Sequence, residues 1–427
     1  MTKNSKFQTP TGLHDILPED QKYFQKIYDV VEEITDFYGF HKIDTPILED
    51  AELFIRGVGI SSDIVTKQMY TLRSKGDDLL TLRPEGTAPI VRSYIEHGMQ
   101  NLPQPVKLWY FGPFFRYERP QFGRYRQFWQ FGLEVLGDTS PVLDAQIIQI
   151  FSNIFKELKL KDLSVEVNSI GDNQCRPYYK KLLVNYLKSR EVALCGDCRR
   201  RLKENPLRIL DCKEEKCQPI KTQAPQMLDH LCEICHAHFK EVLEFLEELG
   251  LTYHLNPYLV RGLDYYTKTV FEIFDESEKE KNLGALAGGG RYDALAKMLG
   301  GRDVPGVGGA AGIERIIEAL KTKSIRYPKE TSSRIFLAQL GVLAKRKSLK
   351  LLEQFREAGI QITESFGRDS LKAQLKMADK SGAKYTLILG QKEALDGTVI
   401  IRDMENGRQE TVKFDKVVRE MEKHLKK

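Results

Sequence analysis

The chain of 427 residues is 41% hydrophobic and 29% charged with a formal net charge of +5, the composition of an ordinary soluble globular protein of two to four domains. Its opening residues, MTKNSKFQTPTG, lack the apolar stretch of a secretory signal, and no apolar run could span a bilayer, so we expect a cytoplasmic protein with no membrane partner. From Arg334 to Lys427, 20 Lys and Arg stand against 13 Asp and Glu, a surplus of +7 that leaves about −2 for the rest and suggests a polyanion partner at the basic end.

In chain order, Gln21 to Tyr38 places Phe24, Ile27, Val31, Ile34 and Phe37 at the spacing of an amphipathic helix, which Gly39 stops. FHKIDTPIL then reads as a strand with Pro46 near its end, and Asp50 to Tyr70 as a loop with a short helix. LLTLRPEGTAPIVRSYI predicts a strand followed by a helix, with Thr87 suited to the N-cap. LWYFGPFFRYE and QFWQFGLEV are rich in aromatic and β-branched residues and predict two strands. The RPQFGRYR between them carries Pro120 and Gly123, residues that reverse a chain. From Asn168 to Tyr253 the sequence turns charged and helical between two strand-like flanks, SVEVNS and TYHLN, which makes it an insertion into a sheet domain. A glycine-rich stretch from Gly288 to Gly312 precedes a helix from Ile313 to about Lys321. Polar, proline-bearing TKSIRYPKETSSR reads as a linker. Beyond it RIFLAQL, IQITES and YTLILG alternate with helical segments, the pattern of a small βαβ domain with a mostly parallel sheet.

The hairpin is the densest source of chemistry. Alternate strand residues share a face, so Arg116, Glu118, Arg124, Gln130 and Glu134 can be aimed into one cleft. Guanidinium forks match phosphate oxygens in pairs, and a carboxylate holds an amine or a magnesium ion. With TLRPEGTAP before the hairpin, LVRGLDYYTKTVFEIF after it, then GALAGGGRYDALAKMLGG and PGVGGAAGIERII, the chain resembles the histidyl-tRNA synthetases, a family of class II aminoacyl-tRNA synthetases. The resemblance runs from PTGLHDILP to the last hundred residues. No strand-GxGxxG-helix unit with a later acid is present, so the glycines do not form a Rossmann phosphate loop.

The resemblance implies an α+β catalytic core with an antiparallel class II synthetase sheet in 1–170 and 254–325, and a helical insertion in 171–253 that closes over the tRNA acceptor end. A linker would occupy 326–333 and an α/β anticodon-binding domain of βαβ type 334–427. It also implies a homodimer built on the first helix and strand. The reaction it implies joins histidine to ATP, with Mg²⁺, as histidyl-adenylate, and then to the terminal adenosine of tRNA(His). Arg116 and Arg261 match the arginines at the substrate carboxylate and α-phosphate, Arg261 standing where other class II enzymes put a metal ion. Glu118 and Arg124 match positions at adenine and the γ-phosphate, and Phe128 and Arg315 those on either face of the base. Glu85, Thr87 and Gln130 match the grip on the α-amino group, beside Gly86. Glu134 and one of Tyr265 and Tyr266 match the grip on the imidazole nitrogens, and Tyr292 is expected to line that pocket. Arg119, Gln121 and Arg126 are candidates for the acceptor stem.

Two features depart from this pattern. Trp129 stands where a histidine is usual, and an indole cannot accept a proton through its ring nitrogen. The insertion holds Cys195-x2-Cys198, Cys212-x4-Cys217 and Cys232-x2-Cys235, either a structural zinc knot or a set of reduced thiols, while Cys175 stands apart as a small apolar residue. A rival reading, a non-catalytic relative that regulates the first enzyme of histidine biosynthesis, fits poorly with an intact RGLDYY and a full terminal domain.

Overall fold

The computed structural model describes residues 7–60, 62–121, 123–277, 284–327 and 334–425. The chain divides into two compact units, 1–327 and 328–427. The first begins with α1 (Pro18–Phe37), which has proline in its first turn, Glu19 and Asp20 beside it, and Phe24, Ile27 and Val31 buried on one face. Gly39, at φ +73°, then turns the chain. β1 (His41–Lys42), β2 (Leu48–Asp50), α2 (Ala51–Val58), β3 (Tyr70–Arg73), β4 (Leu79–Leu82) and α3 (Thr87–Glu96) follow, leading into the long hairpin of β5 (Val106–Phe115) and β6 (Gln127–Leu136). Next come α4 (Pro141–Glu157), β7 (Leu163–Ser169) and the inserted helices α5 (Arg176–Lys188), α6 (Gly196–Glu204), α7 (Gln218–Thr222) and α8 (Glu233–Glu248). The chain re-enters the sheet as β8 (Tyr253–Leu255) and β9 (Thr267–Asp275), and the unit finishes with β10 (Ala287–Arg291), α9 (Leu295–Met298), β11 (Gly306–Gly312) and α10 (Ile313–Thr322).

An eight-stranded sheet in the order β1-β5-β6-β11-β10-β9-β7-β8 organises this unit. Its six central strands are antiparallel, and each edge strand runs parallel to its neighbour. α1, α4, α8 and α10 cover one face over a core that includes Ile27, Phe131, Phe151, Val242 and Ile316. The other face carries the cleft, and a second core joins α2, α3 and the insertion around Phe54, Ile90, Tyr179 and Leu210.

Two local expectations need correction. The strand expected over 40–48 breaks into β1 and β2, because the Arg83 guanidinium takes the Thr45 carbonyl at 2.8 Å and the Pro113 carbonyl at 3.0 Å, holding the proline-bearing stretch off the ladder. Thr87 is not the cap of α3. The Glu85 carboxylate accepts the Thr87 and Ala88 N–H groups at 2.8 and 2.9 Å, which frees the Thr87 hydroxyl for the cleft. The glycine-rich stretch contains two central strands, β10 and β11, for a reason that lies in the cleft. Of the expected linker, 328–333 lies outside the described residues. Tyr327 packs on the first unit, its hydroxyl on the Leu158 carbonyl at 3.2 Å.

The second unit comprises β12 (Ile335–Gln339), α11 (Val342–Glu357), β13 (Ile362–Glu364), α12 (Leu371–Ser381), β14 (Tyr385–Leu389), α13 (Gln391–Asp396), β15 (Thr398–Asp403), β16 (Gln409–Lys413) and α14 (Val417–Leu425). β13, β12 and β14 are parallel. β15 and β16 add an antiparallel hairpin that the sequence reading overlooked, although Asn406-Gly407 at its tip is a strong hairpin turn.

Candidate active site

The register of the large sheet explains its glycines. One cross-strand row reads Tyr110, Gly132, Ala310, Gly288 and Glu272, and the next Leu108, Glu134, Gly308, Gly290 and Val270. Paired residues share a face, so the middle of the cleft floor is almost bare of side chains, with large polar groups around it. Those groups lie in the space that Cβ atoms would take. Arg261 sits over Gly288, Glu134 over Gly308, and Tyr110 over both Gly86 and Gly132.

Arg116, Glu118, Arg124, Phe128, Gln130, Arg261 and Arg315 line one cleft. Five come from the β5–β6 hairpin, Arg261 from the segment before β9 and Arg315 from α10. Arg116, just past β5, donates from Nε to the Pro84 carbonyl at 2.9 Å and lies 5.3 Å from the Phe128 ring centre. Glu118 stands between Arg116 and Arg124 at 4.0 and 3.8 Å. Arg315, in the first turn of α10, donates to the Gly123 carbonyl at 3.2 Å and the Ala285 carbonyl at 2.7 Å. Arg261 pairs with Glu272 of β9, a partner the sequence reading quoted within TKTVFE without assigning it a part. A charged residue inside the apolar run VFEIF of that strand was the available signal. Burial, with Arg124 and Arg116 nearby, pulls Arg315 down to about 10, a sign that the cleft holds positive charge awaiting an anion.

Behind this cleft lies a buried polar cluster. Glu134, fully enclosed, accepts the Thr87 hydroxyl at 2.7 Å on one oxygen and the Tyr292 hydroxyl on the other. Glu85 also accepts the Tyr265 hydroxyl at 3.2 Å, and the Tyr265 ring centre is 4.7 Å from that of Tyr266 and 5.8 Å from that of Tyr292. Burial pushes Glu134 up to about 8, with nearby Glu85 adding to the shift and the two hydroxyl donors opposing it. Burial also raises Glu85. Tyr110, which the sequence reading missed, closes this cluster. Its hydroxyl is driven far up by burial and by Glu134 and Glu85. It looked like one more aromatic in a strand, and only the fold brings it over Gly86 and Gly132.

The remaining candidates lie elsewhere. Arg119 and Gln121 are exposed at the hairpin tip. Arg126 folds back, its guanidinium 3.9 Å from the Tyr117 ring centre and its Nε donating to the Glu118 carbonyl at 3.1 Å. The Trp129 indole lies on the face opposite Phe128 and Gln130, with ring centres 5.7 Å from Phe24 and 5.8 Å from Phe111, while its backbone N–H donates to Glu314. Cys175 does not stand apart. It forms a group with Asp172, Cys232 and Cys235, and Cys195, Cys198, Cys212 and Cys217 form another.

An antiparallel sheet carrying an arginine-lined cleft between a signature hairpin and a final strand-helix motif defines a class II aminoacyl-tRNA synthetase. The family model of histidyl-tRNA synthetase matches residues 12–316, and that of the anticodon-binding domain matches 337–424. The chain belongs to the histidyl-tRNA synthetase family and is a histidine–tRNA ligase. It is 46% identical over 419 residues to the histidine–tRNA ligase of Dehalococcoides mccartyi strain 195, covering 98% of this chain and 100% of that one. To the enzyme of Halothermothrix orenii it is 45% identical, over 97% and 99% of the two chains. The crystal structure of the apo histidyl-tRNA synthetase of S. aureus matches with a TM-score of 0.80 and 38% identity, over 97% of this chain and 99% of that one.

No described helix is long and apolar enough to cross a membrane.

Proposed function

We propose that the cleft holds ATP, with Mg²⁺ on its phosphates, and that the buried cluster behind it selects histidine. The observation that carries this reading is the convergence of Arg116, Arg261 and Arg315, far apart in sequence, on one cleft that opens beside the Glu134 cluster. In the first step a carboxylate oxygen of histidine bonds to the α-phosphorus, the bond to the β-phosphate bridging oxygen breaks, and pyrophosphate leaves. Both reactants are anionic, so fixed cations must gather them and meet the charge that develops. Arg116 and Arg261 do this. Glu272 orients Arg261 from the neighbouring strand, and no metal ion is needed where that guanidinium sits. Phe128 and Arg315 sandwich the adenine, while Glu118 and Arg124 hold its edge and the γ-phosphate.

Glu85, Thr87 and Gln130 receive the α-ammonium group, with Gly86 leaving room beneath Tyr110. Glu134 accepts from one imidazole nitrogen, and Tyr265 or Tyr266 meets the other. A site with polar groups at both nitrogens rejects amino acids that would leave either unpaired. Tyr292 holds the Glu134 carboxylate from its far side.

In the second step the terminal 3′-hydroxyl attacks the acyl carbon and AMP leaves. Trp129 faces away from the cleft and offers no acceptor to that proton. Arg119 and Gln121 are placed to meet the acceptor stem and Arg126 to brace the hairpin, while the basic second unit reads the anticodon. These substrates place the reaction in the cytoplasm. The active form is a homodimer. In support, the β2-β4-β3 sheet leaves Leu48 and Leu72, which share one face, each 40% exposed, an apolar surface suited to a second copy. Light scattering at twice the 49.1 kDa chain mass tests the dimer.

ATP–pyrophosphate exchange run with each amino acid separately tests the assignment. Exchange should depend on histidine alone, and equal exchange with another amino acid refutes it.

A further inference from the structure

The insertion has little with which to hold itself together. Between Leu194 and Met227 its regular structure consists of α6, α7 and two single turns, with no strand, and the buried residues include only a few aliphatics such as Leu202, Ile209 and Leu210. Segments this short rarely fold on apolar burial alone, and disulfides or metals usually supply the difference. No disulfide does so here, because all seven cysteines are free thiols.

The thiols are not scattered through that core. The sulfurs of Cys195, Cys198, Cys212 and Cys217 lie within 4.8 Å of one another, all four buried. Cys195 Sγ and Cys212 Sγ are 3.9 Å apart. A tetrahedron with Zn–S bonds of about 2.3 Å has edges of about 3.8 Å, close to that separation. A disulfide needs about 2.05 Å. Two backbone N–H groups already point at sulfur, that of Cys198 at Cys195 Sγ and that of Cys195 at Cys217 Sγ, both at 3.3 Å. Such donors stabilise thiolates. The second group has a different donor set. Asp172, Cys175, Cys232 and Cys235 place one carboxylate oxygen and three sulfurs within 4.8 Å. The Asp172 Oδ1 atom lies 3.6 Å from Cys175 Sγ and 4.0 Å from Cys232 Sγ.

We propose that the insertion carries two separate structural zinc sites, a Cys195–Cys198–Cys212–Cys217 knot and an Asp172–Cys175–Cys232–Cys235 clasp. On metal entry the thiols release their protons to solvent. Four Zn–S bonds form at the knot, and three Zn–S bonds with one Zn–O bond form at the clasp, with no change of redox state. The two sites do different work. The clasp ties the start of α5 to the start of α8, so it closes the insertion where it leaves and rejoins the sheet domain. The knot fixes α6 and the turn at Pro206–Ile209, whose Arg201 and Arg208 reach Asp63 of the catalytic unit at 3.0 and 3.3 Å. Cys195 and Cys212 share a groove with Arg116, Arg124 and Arg315, so the knot also shapes the wall facing the phosphate site.

Metal analysis of the full-length chain, purified without chelator, tests this without reference to catalysis. We expect about two zinc ions per chain. Cys198→Ser and Cys235→Ser should each retain about one, with the unaltered site still loaded. Cobalt exchanged into the wild-type chain should show tetrahedral thiolate bands in two sets, and Cys198→Ser should abolish the set with the greater sulfur-to-metal intensity. The wild-type measurements stand even if a variant fails to fold. A wild-type content of about one zinc or fewer overturns the two-site proposal. So do seven thiols that all react promptly with a thiol reagent in the folded protein.

Discussion

At the scale of single residues, the site is defined by groups kept in states they would not choose in water. Arg261 lies partly buried against Glu272, and in the proposed reaction it meets charge that appears only as pyrophosphate departs. Arg261→Ala should therefore lower histidine-dependent pyrophosphate exchange by on the order of 10² or more with the fold intact. Near-normal kcat in that variant removes Arg261 from the mechanism. Glu134 gives a prediction with a definite sign. Its carboxyl titrates at about 8 in the empty protein against an ordinary 4.5. The folded state therefore holds a proton that the unfolded chain has lost over that interval. The resulting stabilisation is complete below about pH 4.5 and is lost as pH rises through 8, at up to about 1.4 kcal/mol per pH unit. Glu134→Gln keeps the neutral form at every pH. Its Tm should pull ahead of wild type between pH 5 and 8, and a constant gap across that range contradicts the assignment. Histidine, donating to the carboxylate, should expel the proton, so calorimetry at pH 7 in buffers of different ionisation heat should register proton release that Glu134→Gln lacks. Arg261 and Glu134 could be picked out through the family resemblance that RGLDYY and QFGLEV carry. Glu272 and Tyr110 could not, since their importance comes from cross-strand neighbours that no local pattern reveals.

Among the elements, the glycine strands show where sequence reasoning stops. Long amphipathic α1, the aromatic hairpin and the alternating second unit were legible, since each repeats a period over many residues. AGGG and GVGGAAG have no period and no β-propensity, yet they form β10 and β11, because the sheet needs strands there and the cleft needs them bare. Adjacent glycines serve opposite faces, and substitution separates the two demands. A methyl at Gly288 would meet the Arg261 guanidinium, the mobile end of a side chain. Gly288→Ala should leave Tm nearly unchanged and cut pyrophosphate exchange by roughly 10²-fold, the usual penalty for a catalytic group misplaced by about 1 Å. A methyl at Gly289 would meet the Gly308 carbonyl and the Gly309 Cα, backbone atoms of the next strand. Gly289→Ala should cost about 1–3 kcal/mol of stability, visible in a denaturant midpoint. Equal losses of activity at equal stability would show that the glycines do not divide fold from cleft in this way.

On the scale of the whole molecule, the cleft and the anticodon-binding domain belong to separate hydrophobic cores. The cores that support the cleft draw only on residues before 328, and those of the second unit only on residues from Ile335 onward. The charge follows the same division, since the surplus of +7 lies in residues 334–427 and the remainder is near −2. A chain ended at Tyr327 should therefore fold and keep histidine-dependent pyrophosphate exchange within about threefold, because no group that touches histidine or ATP is lost. Aminoacylation should fall much further. Two modules gripping one tRNA raise each other's effective concentration, and losing one removes roughly 10²-fold or more of apparent affinity. Its dependence on salt should also flatten, because the positive surface that displaces counterions from the tRNA has been removed. Exchange and charging that decline in parallel after truncation would mean that the second unit supports the catalytic cleft itself, and the assignment of anticodon reading to a separate body would fail.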